Sequence, residues 1–166
     1  MPRRWRAIVG TIAFLAVPVT VAGIGPWWIG GWRMRPAFFD AEPMRGIGAA
    51  LIATGVLGLG ECFARFALVG VGTPSPSAPT ERLVVTGLYR HVRNPMYVAV
   101  VAAILGQALL FGSVALVAYG AVVWLMFHLF VVAYEEPTLR RSFGADYEAF
   151  RAAVPRWIPW LAPWHG

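Results

Sequence analysis

The side chains that could bind a ligand or carry out a reaction are concentrated between residues 81 and 97. This polar stretch reads Glu-Arg-Leu-Val-Val-Thr-Gly-Leu-Tyr-Arg-His-Val-Arg-Asn-Pro-Met-Tyr, and long apolar segments lie before and after it. Carboxylates can hold ammonium or hydroxyl groups, arginines can hold anions, and tyrosine rings can face a ligand cation. Polar groups this dense beside a membrane segment indicate a binding site.

A second polar segment begins at Glu135 and Glu136, after an apolar hairpin that follows the polar stretch. If both segments lie on the same face of a membrane, they form two walls of a pocket for a ligand that is polar at one end. The sequence contains no Ser/His/Asp set and no phosphate-binding glycine loop, and none of its histidines has a partner at metal-ligand spacing. We therefore predict no metal site.

Three further polar residues, Glu61, Arg65 and His128, lie inside apolar segments. Glu61 and Arg65 are four positions apart, which puts them on one helical face as a pair. Glu61 either neutralises an arginine that reaches the membrane surface or faces a substrate cavity, since charges at this depth are costly. His128 is either a helix-packing residue or a polar contact for a substrate.

The composition indicates an integral membrane protein. Of 166 residues, 58% are hydrophobic and only 13% are charged, which is far more apolar than a soluble domain of this size. The net charge of +6 comes from arginines at the ends of apolar segments, so it fits a membrane interface and predicts no nucleic-acid partner. The single cysteine excludes an intramolecular disulfide.

We predict an all-α, polytopic transmembrane protein with about four spans, or five, and a C-terminal cytoplasmic amphipathic helix. Residues 72–79 are rich in proline and serine and predict an extended linker. The predicted spans are residues 7–24, with a kink at Pro18, then 46–71, 96–111 and 114–134. A short interfacial helix is expected at residues 88–92. The predicted C-terminal helix has an apolar stripe formed by Leu139, Phe143, Tyr147 and Phe150.

Glycines and tryptophans add detail to the first half of the chain. Trp27, Trp28 and Trp32 are expected to form an interfacial belt after the first span. The second span carries a glycine series that predicts close approach of another helix. The series consists of Gly48, Gly55, Gly58 and Gly60.

Arginine counting predicts that both termini are cytoplasmic, in the inner membrane of a bacterium. With four spans, the outer loop carries only Arg33, Arg35 and Arg45. The inner segments carry Arg3, Arg4, Arg6, Arg82, Arg90, Arg93, Arg140, Arg141, Arg151 and Arg156. This orientation also places the polar stretch and Glu135 on one side of the membrane.

The order of several motifs resembles a known family. The polar stretch, the apolar hairpin, Glu135-Glu136, Phe143-Gly144, Tyr147 and Val154-Pro155 are similar to the C-terminal catalytic region of the integral-membrane methyltransferases. That group includes isoprenylcysteine carboxyl methyltransferase and the phospholipid N-methyltransferases. The resemblance implies methyl transfer from S-adenosylmethionine to a lipophilic acceptor, a lipid amine, carboxylate or thiol, that enters from the bilayer. It divides one structural domain into N-terminal transmembrane helices and linker, residues 1–80, and a cofactor-binding region, residues 81–166.

The resemblance also implies roles for individual residues. Arg93 and Arg151 are expected to orient charge on cofactor or acceptor, and Glu136, Glu61 or His128 to act as a base if the acceptor is an ammonium. The acceptor is expected near Glu61, His128 and Val131. The implied cofactor contacts are Glu81, Arg82, Leu83, Val84, Tyr89, Asn94, Pro95, Met96, Tyr97 and Glu135.

Three positions differ from the family pattern. Asn94 stands where the family usually has histidine, and Ala99 stands where a glycine is common. Val131 lies four residues before Glu135, where the prenylcysteine enzymes have a substrate-contacting arginine. The missing arginine argues against a prenylcysteine carboxylate as the acceptor.

Two other functions are compatible with the same residues. The membrane sterol reductases resemble this C-terminal region and use a nicotinamide cofactor, although they are larger. A membrane scaffold that keeps the fold without catalysis is the other alternative.

Overall fold

The computed structural model describes residues 16–68 and 83–164, and within these ranges the chain is helical, with no β-strand. The expected all-α class is therefore confirmed for the described residues. The longer helices are α1 (Ala16–Gly30), α2 (Pro43–Leu68), α3 (Pro95–Phe111), α4 (Val114–Phe130) and α5 (Glu136–Ala153). Short 3-10 turns lie at Phe38–Asp40 and Gly87–Arg90, and π-helical turns lie at Thr20–Ile24 and Val131–Glu135.

Two helices among the described residues are long and apolar enough to cross a membrane. The first is Pro43–Arg65 within α2, with 23 residues and mean hydropathy 1.7. The second is Val114–Ala153, which comprises α4, the π-helical turn and α5 and has 40 residues and mean hydropathy 2.2. The apolar helix α3 and the described part of α1 are shorter than the roughly 20 residues that a span usually takes. The predicted first span lies partly outside the described residues, and the predicted linker at residues 72–79 lies wholly outside them.

The chain divides into two compact units. The hairpin unit consists of Val17–Leu59 and Met96–His128, and the polar unit has its described residues within Gly60–Pro95 and Leu129–Gly166. In the hairpin unit, α3 begins at Pro95-Met96 with proline in its first turn, as predicted, because the fixed φ of proline suits that position. Gly112 joins α3 to α4 at a φ of +66°, and a side chain there would collide with the Pro36 carbonyl.

The glycine series on α2 permits close helix contact in the hairpin unit. A Cβ atom added to Gly48 would lie 2.6 Å from the Gly106 carbonyl oxygen. One added to Gly55 would lie 2.7 Å from the carbonyl oxygen of Ala99. The prediction is confirmed for these two positions, but it is wrong for Gly60, where an added Cβ meets nothing within 4 Å.

A π-helical turn at Thr20–Ile24 follows Pro18, and the predicted kink at Pro18 itself stays a prediction. Neighbouring helices satisfy two backbone carbonyls of this turn. Tyr119 donates its hydroxyl to the Val21 oxygen at 2.9 Å, and the buried Gln107 amide donates to the Ala22 oxygen at 2.7 Å. These contacts explain how an irregular turn is tolerated in an apolar helix.

In the polar unit, α5 packs through one apolar face. Tyr147, Phe150 and Val154 are buried together, and Leu139 and Phe143 pack against them. The predicted stripe therefore forms one cluster, although the helix is interrupted at Gly144, which has φ 51° and ψ −121°. Whether α5 lies on a membrane surface stays a prediction.

Three predicted boundaries are wrong. The expected helix at residues 88–92 is a 3-10 turn at Gly87–Arg90. Span four was expected to end at residue 134, but α4 continues through the π-helical turn Val131–Glu135 directly into α5. Trp27 and Trp28 lie within α1 rather than after it, because the helix continues to Gly30.

Candidate functional site

The C-terminal residues 154–164 form a strap along the polar stretch. The Arg93 amide donates to the Pro155 carbonyl at 2.9 Å, and the Trp160 amide donates to the His91 carbonyl at 2.8 Å. The Asn94 side-chain amide donates to the Arg156 carbonyl at 3.1 Å. This C-terminal strap runs antiparallel to residues 90–94 and gives Asn94 a structural partner.

Three charged residues form a buried ion cluster beneath the strap. Glu136 Oε1 accepts from Arg93 Nη1 at 3.0 Å and from Arg156 Nε at 2.7 Å. Its Oε2 accepts from Arg156 Nη2 at 3.0 Å, and Arg93 also approaches the Tyr147 hydroxyl at 3.4 Å. The Arg93 and Glu136 side chains are only 10% and 9% exposed. The hydrogen bonds from Arg156 to Glu136 raise the pKa of this guanidinium above its ordinary value.

The ion cluster brings together two walls that the sequence predicted to face each other. Arg93 belongs to the polar stretch and Glu136 belongs to the segment after the hairpin, so their contact agrees with that expectation. Both oxygens of Glu136 accept from guanidinium groups, which makes this carboxylate a weak candidate for a base. Sequence reasoning missed Arg156, which follows the Val154-Pro155 motif and reaches Glu136 only because the strap folds back.

A cavity of about 460 Å³ lies beside the polar stretch. Its volume falls within the range of about 300–1,000 Å³ that is typical of small-molecule sites. We call it the Glu61 cavity. The described residues that line it are Glu61, Arg65, Thr86, Gly87, Leu88, Arg90, His91 and Pro163.

Two of the residues that line the Glu61 cavity each have one polar side-chain atom that is buried without a hydrogen-bond partner in the described part of the chain. These atoms are Glu61 Oε2 and Thr86 Oγ1. The other carboxylate oxygen, Oε1, accepts from Arg65 Nε at 2.7 Å, which confirms the predicted helical pair. A buried polar atom without a partner costs about 1–3 kcal/mol, and a ligand that supplies the missing hydrogen bond recovers this cost. Two residues that line the cavity therefore have unfilled hydrogen-bonding capacity, on atoms that are covered by the surrounding protein.

Gly87 holds the polar stretch against the Glu61–Arg65 pair. Its φ is +59°, and a Cβ added there would collide with the Glu61 carboxylate and lie 2.8 Å from Arg65 Nε. Only glycine fits this conformation and this distance without displacement of the pair. Tyr89, two residues further on, is also held against α2, because it is hydrogen-bonded to the fully buried Cys62 thiol.

The C-terminal strap completes the cavity. Arg90 Nε donates to the Trp164 carbonyl at 2.6 Å, and His91 Nδ1 donates to the Trp160 carbonyl at 2.8 Å. These contacts place Pro163 at the cavity wall.

The other predicted site residues have separate surroundings. Leu83 packs against the α5 cluster, Val84 is buried, and Val131 is only 1% exposed. Arg151 pairs with Glu148 at 3.1 Å, and it also lies close enough to Glu136 for an electrostatic interaction with this carboxylate.

In the hairpin unit, Met96 is buried, Tyr97 packs on Phe127, and His128 stacks on Trp124 with ring centroids 5.4 Å apart. In the polar unit, Glu135 is the last residue of the π-helical turn Val131–Glu135. Glu81 and Arg82 lie outside the described residues. Among the residues that are described, no group of three or more His, Cys, Asp or Glu side chains could hold a metal ion.

The fold and the site define a helical protein with apolar helices of membrane-spanning length and a charged cavity at one polar stretch. The phospholipid methyltransferase family model matches residues 44–146. Because this match covers more than half of the chain, the protein belongs to the phospholipid methyltransferase family.

Two curated proteins are similar to this chain. The protein-S-isoprenylcysteine O-methyltransferase of Schizosaccharomyces pombe is 33% identical over 114 residues, which cover 64% of this chain and 48% of that protein. The protein-S-isoprenylcysteine O-methyltransferase B of Arabidopsis thaliana is 24% identical over 156 residues, covering 93% of this chain and 72% of that protein. The chain thus spans about half the length of the first relative. No solved structure matches the chain.

Proposed function

We propose that the protein transfers a methyl group from S-adenosylmethionine to a lipophilic acceptor at the cytoplasmic face of a membrane. Family membership is the observation that carries this proposal, and the names of both relatives include methyl transfer. The Glu61 cavity supports it, since a small-molecule cavity lies directly against the polar stretch that resembles the family's cofactor site.

The residues at the cavity fit such a cofactor. Buried acceptor atoms on Glu61 and Thr86 can accept from ammonium or hydroxyl groups, and Arg65 and Arg90 can attract a carboxylate. Tyr89 lies one turn away, close enough to the α2 end to bond Cys62. We expect further cofactor contacts at the residues that the resemblance implies, namely Glu81, Arg82, Leu83, Val84, Tyr89, Asn94, Pro95, Met96, Tyr97 and Glu135.

When bound, S-adenosylmethionine supplies a sulfonium methyl carbon, to which an acceptor lone pair bonds while the broken carbon–sulfur electron pair stays on sulfur. The protein's contribution is then proximity, in-line orientation and exclusion of water. An ammonium acceptor would first lose a proton. Glu61 and His128 stay candidates for accepting it, whereas Glu136 is occupied by two arginines and is better suited to positioning the walls.

The acceptor is proposed to be lipophilic because both relatives are named for an isoprenyl substrate and the family for phospholipids. Position 131 is an almost fully buried valine, so no cation stands where the resemblance expects a substrate-contacting arginine. This favours an acceptor other than a prenylcysteine carboxylate, such as a lipid amine or thiol.

Calorimetric titration of the purified chain tests this proposal, with S-adenosylmethionine and NADPH in separate experiments. Binding of S-adenosylmethionine, followed by transfer of its labelled methyl group to a component of a total lipid extract, is the expected result. Binding of NADPH alone would instead identify a reductase. Binding of neither compound would identify a non-catalytic membrane scaffold.

A further inference from the structure

The C-terminal strap presents a group of apolar side chains to its surroundings. Ile158 is 79% exposed, Trp160 is 63% exposed and Leu161 is 96% exposed, and all three lie within four consecutive positions. We call these three residues the strap patch. Exposed apolar side chains grouped in this way mark a surface that contacts a partner protein or a membrane.

The backbone around the strap patch suits a surrounding that contains little water. Pro159 has no amide hydrogen that would need a partner. The Trp160 amide donates to the His91 carbonyl at 2.8 Å, and the Trp164 amide donates to the Arg90 carbonyl at 3.0 Å. Unsatisfied backbone donors are costly to remove from water, so these features lower the cost of placing the strap against an apolar phase.

The polar unit is joined to apolar helices on both sides of the chain. Residues 129–134 belong to this unit and lie within Val114–Ala153, a helix long and apolar enough to cross a membrane. Phe130, Val132 and Tyr134 are exposed along this run, as is expected of side chains that face lipid. The strap itself is hydrogen-bonded to residues 90–94, which lead directly into α3. Both connections favour a membrane, rather than a soluble partner, as the surface beside the strap.

Arginines border the strap patch. Arg156 lies two positions before Ile158 with its side chain 30% exposed, and Arg90 is hydrogen-bonded to the Trp164 carbonyl at 2.6 Å. Tryptophan and arginine together are typical of the headgroup zone, where the ring lies between water and hydrocarbon and the guanidinium attracts lipid phosphate. In a two-fold contact between copies of the chain, the same arginines would come together, which disfavours a second copy as the occupant.

We propose that the strap patch inserts into the interfacial zone of the membrane, with Ile158, Trp160 and Leu161 at the boundary between headgroups and acyl chains. The strap backbone stays at the headgroup level, because irregular backbone exposed to lipid does not occur in the hydrocarbon core. Pro163 of the same strap lines the Glu61 cavity, so this contact holds one wall of the cavity at the membrane surface. The inference does not depend on the proposed methyl transfer.

Quenching of a single fluorescent label tests this placement in the full-length chain, reconstituted into vesicles of phosphatidylcholine and phosphatidylglycerol. The label is attached to Leu161→Cys, and the native Cys62 is shielded from labelling because its side chain is fully buried. The matched control is Ala145→Cys, at an exposed position of α5 beside the exposed Asp146.

We expect nitroxide-labelled lipid to quench the fluorophore at position 161 and to leave the fluorophore at position 145 unchanged. Aqueous iodide should quench in the opposite order. Nitroxides at two acyl-chain depths should place position 161 about 5–10 Å into the boundary between headgroups and acyl chains. Ile158→Cys, in the same patch, should behave like Leu161→Cys, and it keeps the test decisive if one variant does not fold.

Equal quenching of positions 161 and 145 by iodide, without quenching by lipid nitroxide, would overturn this inference. Protection of position 161 from both quenchers would also overturn it, because a second copy of the chain or another protein would then cover the patch. Neither outcome would affect the proposed methyl transfer, which is tested separately by cofactor binding and transfer of the labelled methyl group.

Discussion

The polar unit contains two groups of charged side chains that differ in how their hydrogen bonds are used. In the buried ion cluster, Glu136 accepts from both arginines and both of its oxygens are occupied, while Arg93 Nε is buried without a partner among the described residues. In the Glu61 cavity, the carboxylate holds one arginine and leaves one buried oxygen without a partner in the described residues. The same residue types therefore serve two purposes.

The difference between the two carboxylates predicts that Glu136 contributes to stability and Glu61 to ligand binding. Glu136 accepts hydrogen bonds that connect the polar stretch, α5 and the C-terminal strap, so loss of its carboxylate should destabilise the polar unit. The unpartnered oxygen of Glu61 lowers stability in the absence of a ligand, and a ligand that donates a hydrogen bond to this oxygen restores that stability. Removal of the Glu136 carboxylate should therefore mainly lower stability, whereas removal of the Glu61 carboxylate should mainly weaken ligand binding.

The largest effect is expected from Glu136→Gln. This change leaves the charges of Arg93 and Arg156 without their carboxylate in a site where Arg93 is only 10% exposed. Removal of one partner from such a buried pair costs about 3–5 kcal/mol of unfolding free energy. Denaturant unfolding in detergent micelles measures the loss.

Glu148→Gln is the matched control for that variant. Glu148 pairs with Arg140 and Arg151 at the surface of α5, where its side chain is 47% exposed. Exposed pairs of this kind contribute about 0–1 kcal/mol. A loss at Glu136 no larger than the loss at Glu148 would mean that the ion cluster is not structural.

A smaller effect is expected from Gly87→Ala, which introduces a Cβ atom at a φ of +59° against the Glu61 carboxylate. The left-handed conformation alone costs a non-glycine residue about 1–2 kcal/mol. Displacement of Glu61 should also weaken S-adenosylmethionine binding. Unfolding and calorimetry on the same preparation measure both changes.

Gly60→Ala provides the comparison within α2, because an added Cβ there meets nothing within 4 Å. Alanine in a helix interior is favoured over glycine by about 0.8–1.0 kcal/mol, so this variant should be slightly more stable. If Gly87→Ala proves as harmless as Gly60→Ala, the close contact between Gly87 and the Glu61–Arg65 pair is not required.

The smallest effects are expected for two hydroxyl groups. Tyr147 approaches Arg93 at 3.4 Å within the ion cluster, so Tyr147→Phe should cost about 0.5–1 kcal/mol. Thr86→Val removes a hydroxyl that is buried without a partner among the described residues, so it should leave stability unchanged or raise it slightly. Thermal unfolding of both variants checks the opposite signs, and a larger loss for Thr86→Val would contradict the account.

Local patterns predicted the helices and several contacts within them. Proline in the first turn marked the start of α3, and the spacing of four residues predicted the Glu61–Arg65 pair. The glycines at positions 48 and 55 predicted close helix contact, since small side chains have this effect wherever they face another helix.

Long-range contacts could not be predicted in the same way. Arg156 reaches Glu136 across twenty residues only because the C-terminal strap folds along residues 90–94. Pro163 reaches the cavity for the same reason. The sequence left two roles open for Glu61, which either neutralises Arg65 or faces a substrate cavity. The unpartnered oxygen that favours a ligand site is visible only in the folded chain.

The most direct test is thermal unfolding of the wild-type chain, Glu61→Gln and Glu136→Gln, each with and without saturating S-adenosylmethionine. A ligand stabilises the folded state by RT ln(1 + [L]/Kd), so weaker binding reduces the ligand-induced rise in Tm. We expect Glu136→Gln to lower the Tm without ligand and to retain a ligand-induced rise. Glu61→Gln should keep the wild-type Tm without ligand and lose most of the rise. A full ligand-induced rise in Glu61→Gln, together with its loss in a folded Glu136→Gln, would contradict the division between a structural cluster and a ligand cavity.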